Sequence, residues 1–121
     1  MKDNIIQEKS FEFAIRIVNL YKFLCNDKKE FVLSKQVLRS GTSIGANIEE
    51  ALGGFSDSDF VYKLQTAYKE SRETIYWLKL LWKTDYLKEK QAKSIIKDAT
   101  DLCKIISKIL LTTKEKLIIK N

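Results

Sequence analysis

Four glutamate side chains have the type and spacing that could form a reactive site. They are Glu49, Glu50, Glu70 and Glu73. Carboxylates that gather in this way bind hard cations such as Mg²⁺ or Ca²⁺. The alternative is that they form ion pairs with Arg39, Arg72 and lysines, and we expect this second arrangement. No carboxylate set repeats the Glu-x-x-His pairs of di-iron bundles, so we expect neither a metal ion nor another cofactor.

Three hydroxyl side chains, Ser40, Thr42 and Ser43, are the next candidates. A serine or threonine becomes a nucleophile when a general base lies beside it. The sequence contains no histidine, which is the commonest general base and the usual partner of a catalytic serine. We therefore expect these hydroxyls to serve in packing, and we expect the protein not to be an enzyme.

Five lysines late in the chain have the spacing of a phosphate-binding surface. They are Lys90, Lys93, Lys97, Lys104 and Lys108. On an α-helix they form one band about 60° wide, and residues 88–121 carry +5 of the formal net charge of +6. The alternative is a face that only keeps the protein soluble, which the scarcity of arginine and the lack of interleaved aromatic residues favour. RNA or DNA bound here should be held weakly, salt-dependently and with little sequence selectivity.

Apolar residues repeat at steps of three and four through four segments, which predicts four helices. The first is expected from about residue 5 or 10 to Cys25, the second from an N-cap at Ser34 to Gly53-Gly54, the third after an N-cap at Ser56, and the fourth over about 88–116. The connections are short, so consecutive helices should be antiparallel neighbours. We expect an all-α, antiparallel up-down-up-down four-helix bundle that forms one domain over residues 1–121.

The composition also indicates the cellular compartment of the protein. No apolar run approaches the roughly 18 residues of a membrane span, and the first ten residues are too polar for a signal peptide. Cys25 and Cys103 have no metal-ligand spacing. We therefore expect a reduced, cytoplasmic protein that makes no membrane contact.

Two of the predicted helices carry a second face that points away from the core. The back of the second helix has short side chains in its centre and opposite charges at its ends, and the back of the third presents two tyrosines. Gly41 and Gly45 each cost a helix up to about 1 kcal/mol, which indicates a close contact within the chain or between subunits. We expect a homo-oligomer, because exposed tyrosines favour protein contacts. The expected interface residues are Arg39, Ser43, Ala46, Asn47, Glu50, Tyr62, Glu73 and Tyr76.

The string LRSGTSIGANIEEA at residues 38–51, followed by DFVYKLQTAYKESRETIYWLKLL, resembles the bacterial four-helix bundle protein family. Its members are called intervening-sequence proteins, because many are encoded in insertions within large-subunit ribosomal RNA genes. A related branch contains the accessory proteins of diversity-generating retroelements. The positions that match the family motif are Arg39, Ser43, Ile44, Asn47, Ile48, Glu50 and Glu73.

The resemblance implies a homo-oligomeric bundle, with a ring-shaped pentamer as the family's known assembly. The retroelement branch binds nucleic acid and a reverse transcriptase. Two departures from the family pattern stand out: Glu50-Ala51 replaces the usual Glu-Gly, and Gly53-Gly54-Phe55 occupies the place of a frequent arginine. If that arginine contacts RNA in relatives, the contact is missing here.

Two function classes follow. One is a non-catalytic homo-oligomeric scaffold that binds RNA or DNA weakly through the lysine band. The other is a protein-binding oligomeric adaptor with no nucleic-acid role. Ion pairs between the band and Glu89, Asp98 or Asp101 would favour the adaptor, whereas a continuous positive surface in the assembly would favour nucleic acid.

Overall fold

The computed structural model describes the backbone of residues 2–120 and the side chains of residues 5–118. It contains the helices α1 (Lys2–Asn26), α2 (Leu33–Leu52), α3 (Asp57–Lys83) and α4 (Glu89–Lys120), and no strand occurs in this part of the chain. The first helix begins earlier than expected and the fourth ends later. The first turn of α1 is polar and the last turn of α4 carries three consecutive apolar residues, so neither shows the three- and four-residue repeat that marks a helix.

The four helices form the expected up-down-up-down bundle. Each helix packs on its neighbour in sequence and α4 closes against α1, whereas α1 and α3, like α2 and α4, lie on diagonals, with no Cα atoms within 8 Å of each other in the described residues. The seam between α1 and α4 is the loosest of the four. Among the described residues, none of these helices has the length and apolarity that a membrane crossing requires.

The predicted apolar stripes form the core. The largest fully buried side chains include Ile6, Phe13, Ile17, Leu24, Ile44, Ile48, Leu78, Leu81, Leu102 and Ile106. Near the end of α4 the buried residue is Leu110, whereas a strict seven-residue step from the buried Leu102 would place Ile109 in the core. A straight helix with 3.6 residues per turn drifts away from a strict seven-residue repeat, and this drift accounts for the change.

The glycine-rich segment of α2 is the place where α2 crosses α1 closely. A Cβ atom at Gly41 would lie 2.7–2.9 Å from three side-chain carbons of Ile17, which is fully buried. A Cβ atom at Gly45 would meet the carbonyl oxygen of Ser10 at 3.4 Å, close to an ordinary contact distance. The helix-propensity cost at Gly41 is therefore offset by packing within the chain, not between subunits.

The start of α2 differs from the prediction. Ser34 is not an N-cap: it is buried inside the first turn, and the cap position is Val32, which makes no side-chain cap. The Glu30 carboxylate caps the start of α2 instead. It accepts hydrogen bonds from the backbone N–H groups of Val32 at 3.2 Å and Ser34 at 2.7 Å. At α3 the predicted cap is confirmed, since Ser56 Oγ accepts from the backbone N–H of Asp59 at 3.1 Å.

We expect Glu30→Ala to lower the free energy of unfolding by about 0.5–2 kcal/mol, the range for a lost N-terminal cap. Partial burial raises the pKa of Glu30, but hydrogen bonds from Ser34, Leu33 and Val32 outweigh it and lower the pKa below its ordinary 4.5. The cap therefore stabilises the fold fully above pH 4.5 and loses this effect as pH falls through the lower folded pKa. Urea unfolding between pH 3 and 7 measures this, and an equal loss at every pH would contradict it.

Candidate functional site

An ionic cluster joins α2 to α3 at the motif arginine. The Arg39 guanidinium binds the carboxylate of Glu73 and lies 3.4 Å from Glu70 Oε2. Glu73 also accepts a hydrogen bond from Trp77 Nε1 at 2.9 Å. Partial burial raises the pKa of Glu70, Arg39 opposes this change and Glu73 adds to it. The charged residues expected at a subunit interface are thus paired inside the chain.

The other two glutamates are also held by neighbouring helices. Glu50 Oε1 lies 2.8 Å from Lys63 Nζ in α3, and this hydrogen bond raises the pKa of Lys63. Glu49 Oε1 accepts a hydrogen bond from Gln7 Nε2 in α1 at 2.6 Å. The two glutamates of α3 therefore share Arg39, whereas Glu50 and Glu49 each have a partner of their own. Within the described residues, no group of three or more cysteine, aspartate or glutamate side chains is placed to hold a metal ion.

The hydroxyl side chains of α2 make hydrogen bonds within the bundle. Ser40 is fully buried, and its Oγ lies 3.0 Å from Thr74 Oγ1 across the α2–α3 seam. Ser43 Oγ donates to the Arg39 carbonyl at 2.5 Å, and Asn47 Nδ2 donates to the Ser43 carbonyl at 2.8 Å. These contacts place two more of the expected interface residues in hydrogen bonds within α2.

The exposed part of the expected interface includes the ion-paired Arg39 and Glu50 and three uncharged side chains. Ala46 lies on the surface of α2, and the side chains of Tyr62 and Tyr76 on α3 are 64% and 58% exposed. Their role between subunits stays a prediction.

A second exposed patch, on α1, was missed by the sequence analysis. Phe11, Ile15 and Val18 are 67%, 49% and 36% exposed. Their steps of four and three residues place them on one face, opposite the core stripe of Phe13 and Ile17. The sequence contains this spacing, but the core stripe of α1 repeats at the same steps, so the apolar pattern was assigned to the core stripe alone. We call these three residues the α1 patch.

The comparison with known families completes this description. The family model for the 23S rRNA-intervening sequence protein matches residues 2–108. The chain belongs to this family. A crystal structure of a protein of unknown function from the S23 ribosomal protein family of Bacteroides thetaiotaomicron VPI-5482 is 57% identical, with a TM-score of 0.90 over 91% of this chain and 98% of that one. No curated protein matches the chain.

The lysine band of this intervening-sequence protein is partly neutralised along α4. Lys97 Nζ lies 2.9 Å from Asp101, and Lys93 Nζ lies 3.5 Å from Glu89. The hydrogen bond with Asp101 raises the pKa of Lys97. Asp98 instead binds Arg16 of α1 at 2.6 Å. Among the described residues, the band lysines without an ion pair are Lys90, Lys104 and Lys108.

The two departures from the intervening-sequence motif have structural consequences. Ala51 is 2% exposed, so its methyl group fills part of the core that a glycine would leave empty. Phe55 is fully exposed in the connection between α2 and α3. The family match ends at residue 108, and α4 continues beyond it to Lys120.

Proposed function

We propose that this intervening-sequence protein is a non-catalytic scaffold that assembles with further copies of itself. The observation that carries the proposal is the exposure of large apolar side chains on the outer faces of two helices, the α1 patch and the tyrosines Tyr62 and Tyr76 of α3. Exposed apolar side chains that cluster on one face, as in the α1 patch, mark an interaction site, and exposed tyrosines favour protein contacts. The match to the structure from the S23 family supports the fold and leaves the activity open.

The two patches also favour one kind of assembly. Because α1 and α3 lie on a diagonal of the bundle, their outer faces point in different directions. A contact that joins two different patches is heterologous, and it closes into a ring when the rotation between subunits allows. The pentamer that the family resemblance implies is such a closed ring, and we propose it as the assembly.

The non-catalytic part of the proposal has its own support. The carboxylates and hydroxyls that could react are engaged in contacts of α2 with α1 or α3, or in contacts within α2. The protein contains no histidine. We also propose a cytoplasmic location, and the two free cysteines, Cys25 and Cys103, are consistent with reducing surroundings.

Weak binding of RNA or DNA through the lysine band is the second candidate function. Lys90, Lys104 and Lys108 favour it, because they carry no ion pair among the described residues. The pairing of Lys93 and Lys97 with acids of the same helix favours the alternative, a protein-binding adaptor. A ring would repeat the band on every subunit and so strengthen a weak single-site affinity.

Sedimentation analysis at micromolar concentration and physiological salt tests the scaffold. We expect a mass several times that of one chain, because the α1 patch and the α3 tyrosines would be covered by neighbouring copies. A monomer under these conditions would contradict the proposal. Titration of structured RNA, single-stranded DNA and duplex DNA at several salt concentrations separates nucleic-acid binding from the adaptor, which predicts no binding at 50–100 mM salt.

A further inference from the structure

A recess along the seam between α3 and α4 is lined by cations from both helices. It has a volume of about 400 Å³, and its polar and charged lining comes from Tyr68 and Arg72 of α3 and from Lys104, Ser107 and Lys108 of α4. A second recess adjoins it through Tyr68 and Ser107 and adds Lys69 and Lys114 to the rim. No carboxylate is among the residues that line either recess. We call the two recesses together the α3–α4 groove.

The charge of this groove differs from that of the rest of the lysine band. Lys93 and Lys97, nearer the start of α4, are held by Glu89 and Asp101. Lys104 and Lys108, nearer its end, are joined instead by a further cation from the neighbouring helix, Arg72. Five cations without a lining acid create a positive potential that attracts a polyanion.

The length of the groove suits a short stretch of a nucleic-acid strand. Lys104 and Lys114 are ten positions apart on α4, which is about 15 Å at 1.5 Å per residue. A stretch of this length is long enough for a few consecutive phosphates of one strand. Several cations of the groove can therefore meet one bound strand.

An aromatic ring distinguishes this groove from a plain basic surface. Tyr68 lines both recesses, with the Arg72 guanidinium carbon 6.0 Å from the centre of its ring. Leu111, which also lines both, is 61% exposed. Proteins that bind single strands combine a positive groove with aromatic side chains on which bases stack. The sequence analysis found no aromatic residue within the lysine band, because Tyr68 comes from a different helix.

We infer that the α3–α4 groove binds single-stranded nucleic acid, with phosphates on Arg72, Lys104 and Lys108 and a base against Tyr68. The inference rests on the proposed nucleic-acid function. It places the binding site at the seam between α3 and α4 and not on the outer face of α4. A duplex keeps its bases stacked inside, so it would meet the cations without using Tyr68. Single strands should therefore depend on both the charges and the ring.

The test compares variants by fluorescence anisotropy with a labelled 20-nucleotide dT strand and a duplex of equal length, each over a series of KCl concentrations. The double variant Arg72→Gln/Lys108→Gln should flatten the log–log salt slope for dT by up to about 1.4, at about 0.7 per phosphate contact on a single strand. Tyr68→Leu should weaken dT binding about tenfold without changing the slope or the duplex affinity. Tyr68→Phe keeps the ring and should bind like the parent.

The comparison variant is Lys93→Gln/Lys97→Gln, which removes two cations of the band outside the groove and should flatten the dT slope less than Arg72→Gln/Lys108→Gln, because both lysines are already paired with acids. Equal or greater flattening by this variant would place the strand on the outer band and overturn the inference alone. Parent-like binding of dT by both the Arg72→Gln/Lys108→Gln variant and the Tyr68→Leu variant would also overturn the inference. If the parent binds neither probe, the nucleic-acid function itself fails, and binding of polyglutamate in its place would indicate an acidic protein partner.

Discussion

Replacing Ala46 by glutamate is expected to convert the assembled protein into a monomer. Ala46 lies exposed in the centre of the outer face of α2, and Glu49 and Glu50 follow it one turn later. The nearby cations are occupied, since Lys63 binds Glu50 and Arg39 binds Glu70 and Glu73. A carboxylate buried there between subunits would lack a partner, which costs about 3–5 kcal/mol for a broken buried pair. If each contact between subunits loses this much free energy of association, the assembly dissociates at micromolar concentration.

Sedimentation of the Ala46→Glu variant beside the parent measures this effect. Ala46→Ser is the matched control, because it keeps a small uncharged side chain and should assemble like the parent. Far-UV circular dichroism should remain helical in both variants, since Ala46 is exposed in the single chain and a like-charged neighbour one turn away costs only about 0.2–0.5 kcal/mol. If Ala46→Glu assembles like the parent, Ala46 does not lie between subunits.

Replacing Gly41 by alanine is expected to destabilise the bundle, although alanine is the better helix former. The new Cβ would come within 3 Å of Cγ1, Cγ2 and Cδ1 of Ile17. Ile17 is fully buried and β-branched, so it has little freedom to move away. Overpacking of this kind costs about 1–3 kcal/mol, whereas the gain in helix propensity is at most about 1 kcal/mol. The clash should therefore outweigh the gain.

Gly45→Ala is the control for this prediction, because its Cβ would meet ordinary contact distances. It should leave the free energy of unfolding unchanged or raise it by up to about 1 kcal/mol. Urea unfolding at one fixed protein concentration measures both variants. The double variant Ile17→Ala/Gly41→Ala should be more stable than the sum of the single effects, because Ile17→Ala removes the three clashing atoms. Strict additivity would show that Gly41 and Ile17 do not compete for the same space.

The sequence by itself determined the helices of this protein. The period of apolar residues was enough to predict four helices, their order and most of the core, including Phe13, Ile44 and Leu102. The cap at Ser56 could also be predicted, since a cap acts on the backbone three residues away. These features depend on neighbours in the chain, so they require no knowledge of how the helices pack.

Only the tertiary structure decided which surfaces remain free. Arg39 and Glu73, both predicted from the sequence to lie between subunits, bind each other across 34 positions because the antiparallel register brings α2 and α3 together there. The same packing placed Tyr68 of α3 beside Lys108 of α4 and seated Gly41 against Ile17. The period of a helix defines its faces, but its rotation and register against a neighbour depend on side-chain packing between residues far apart in the chain.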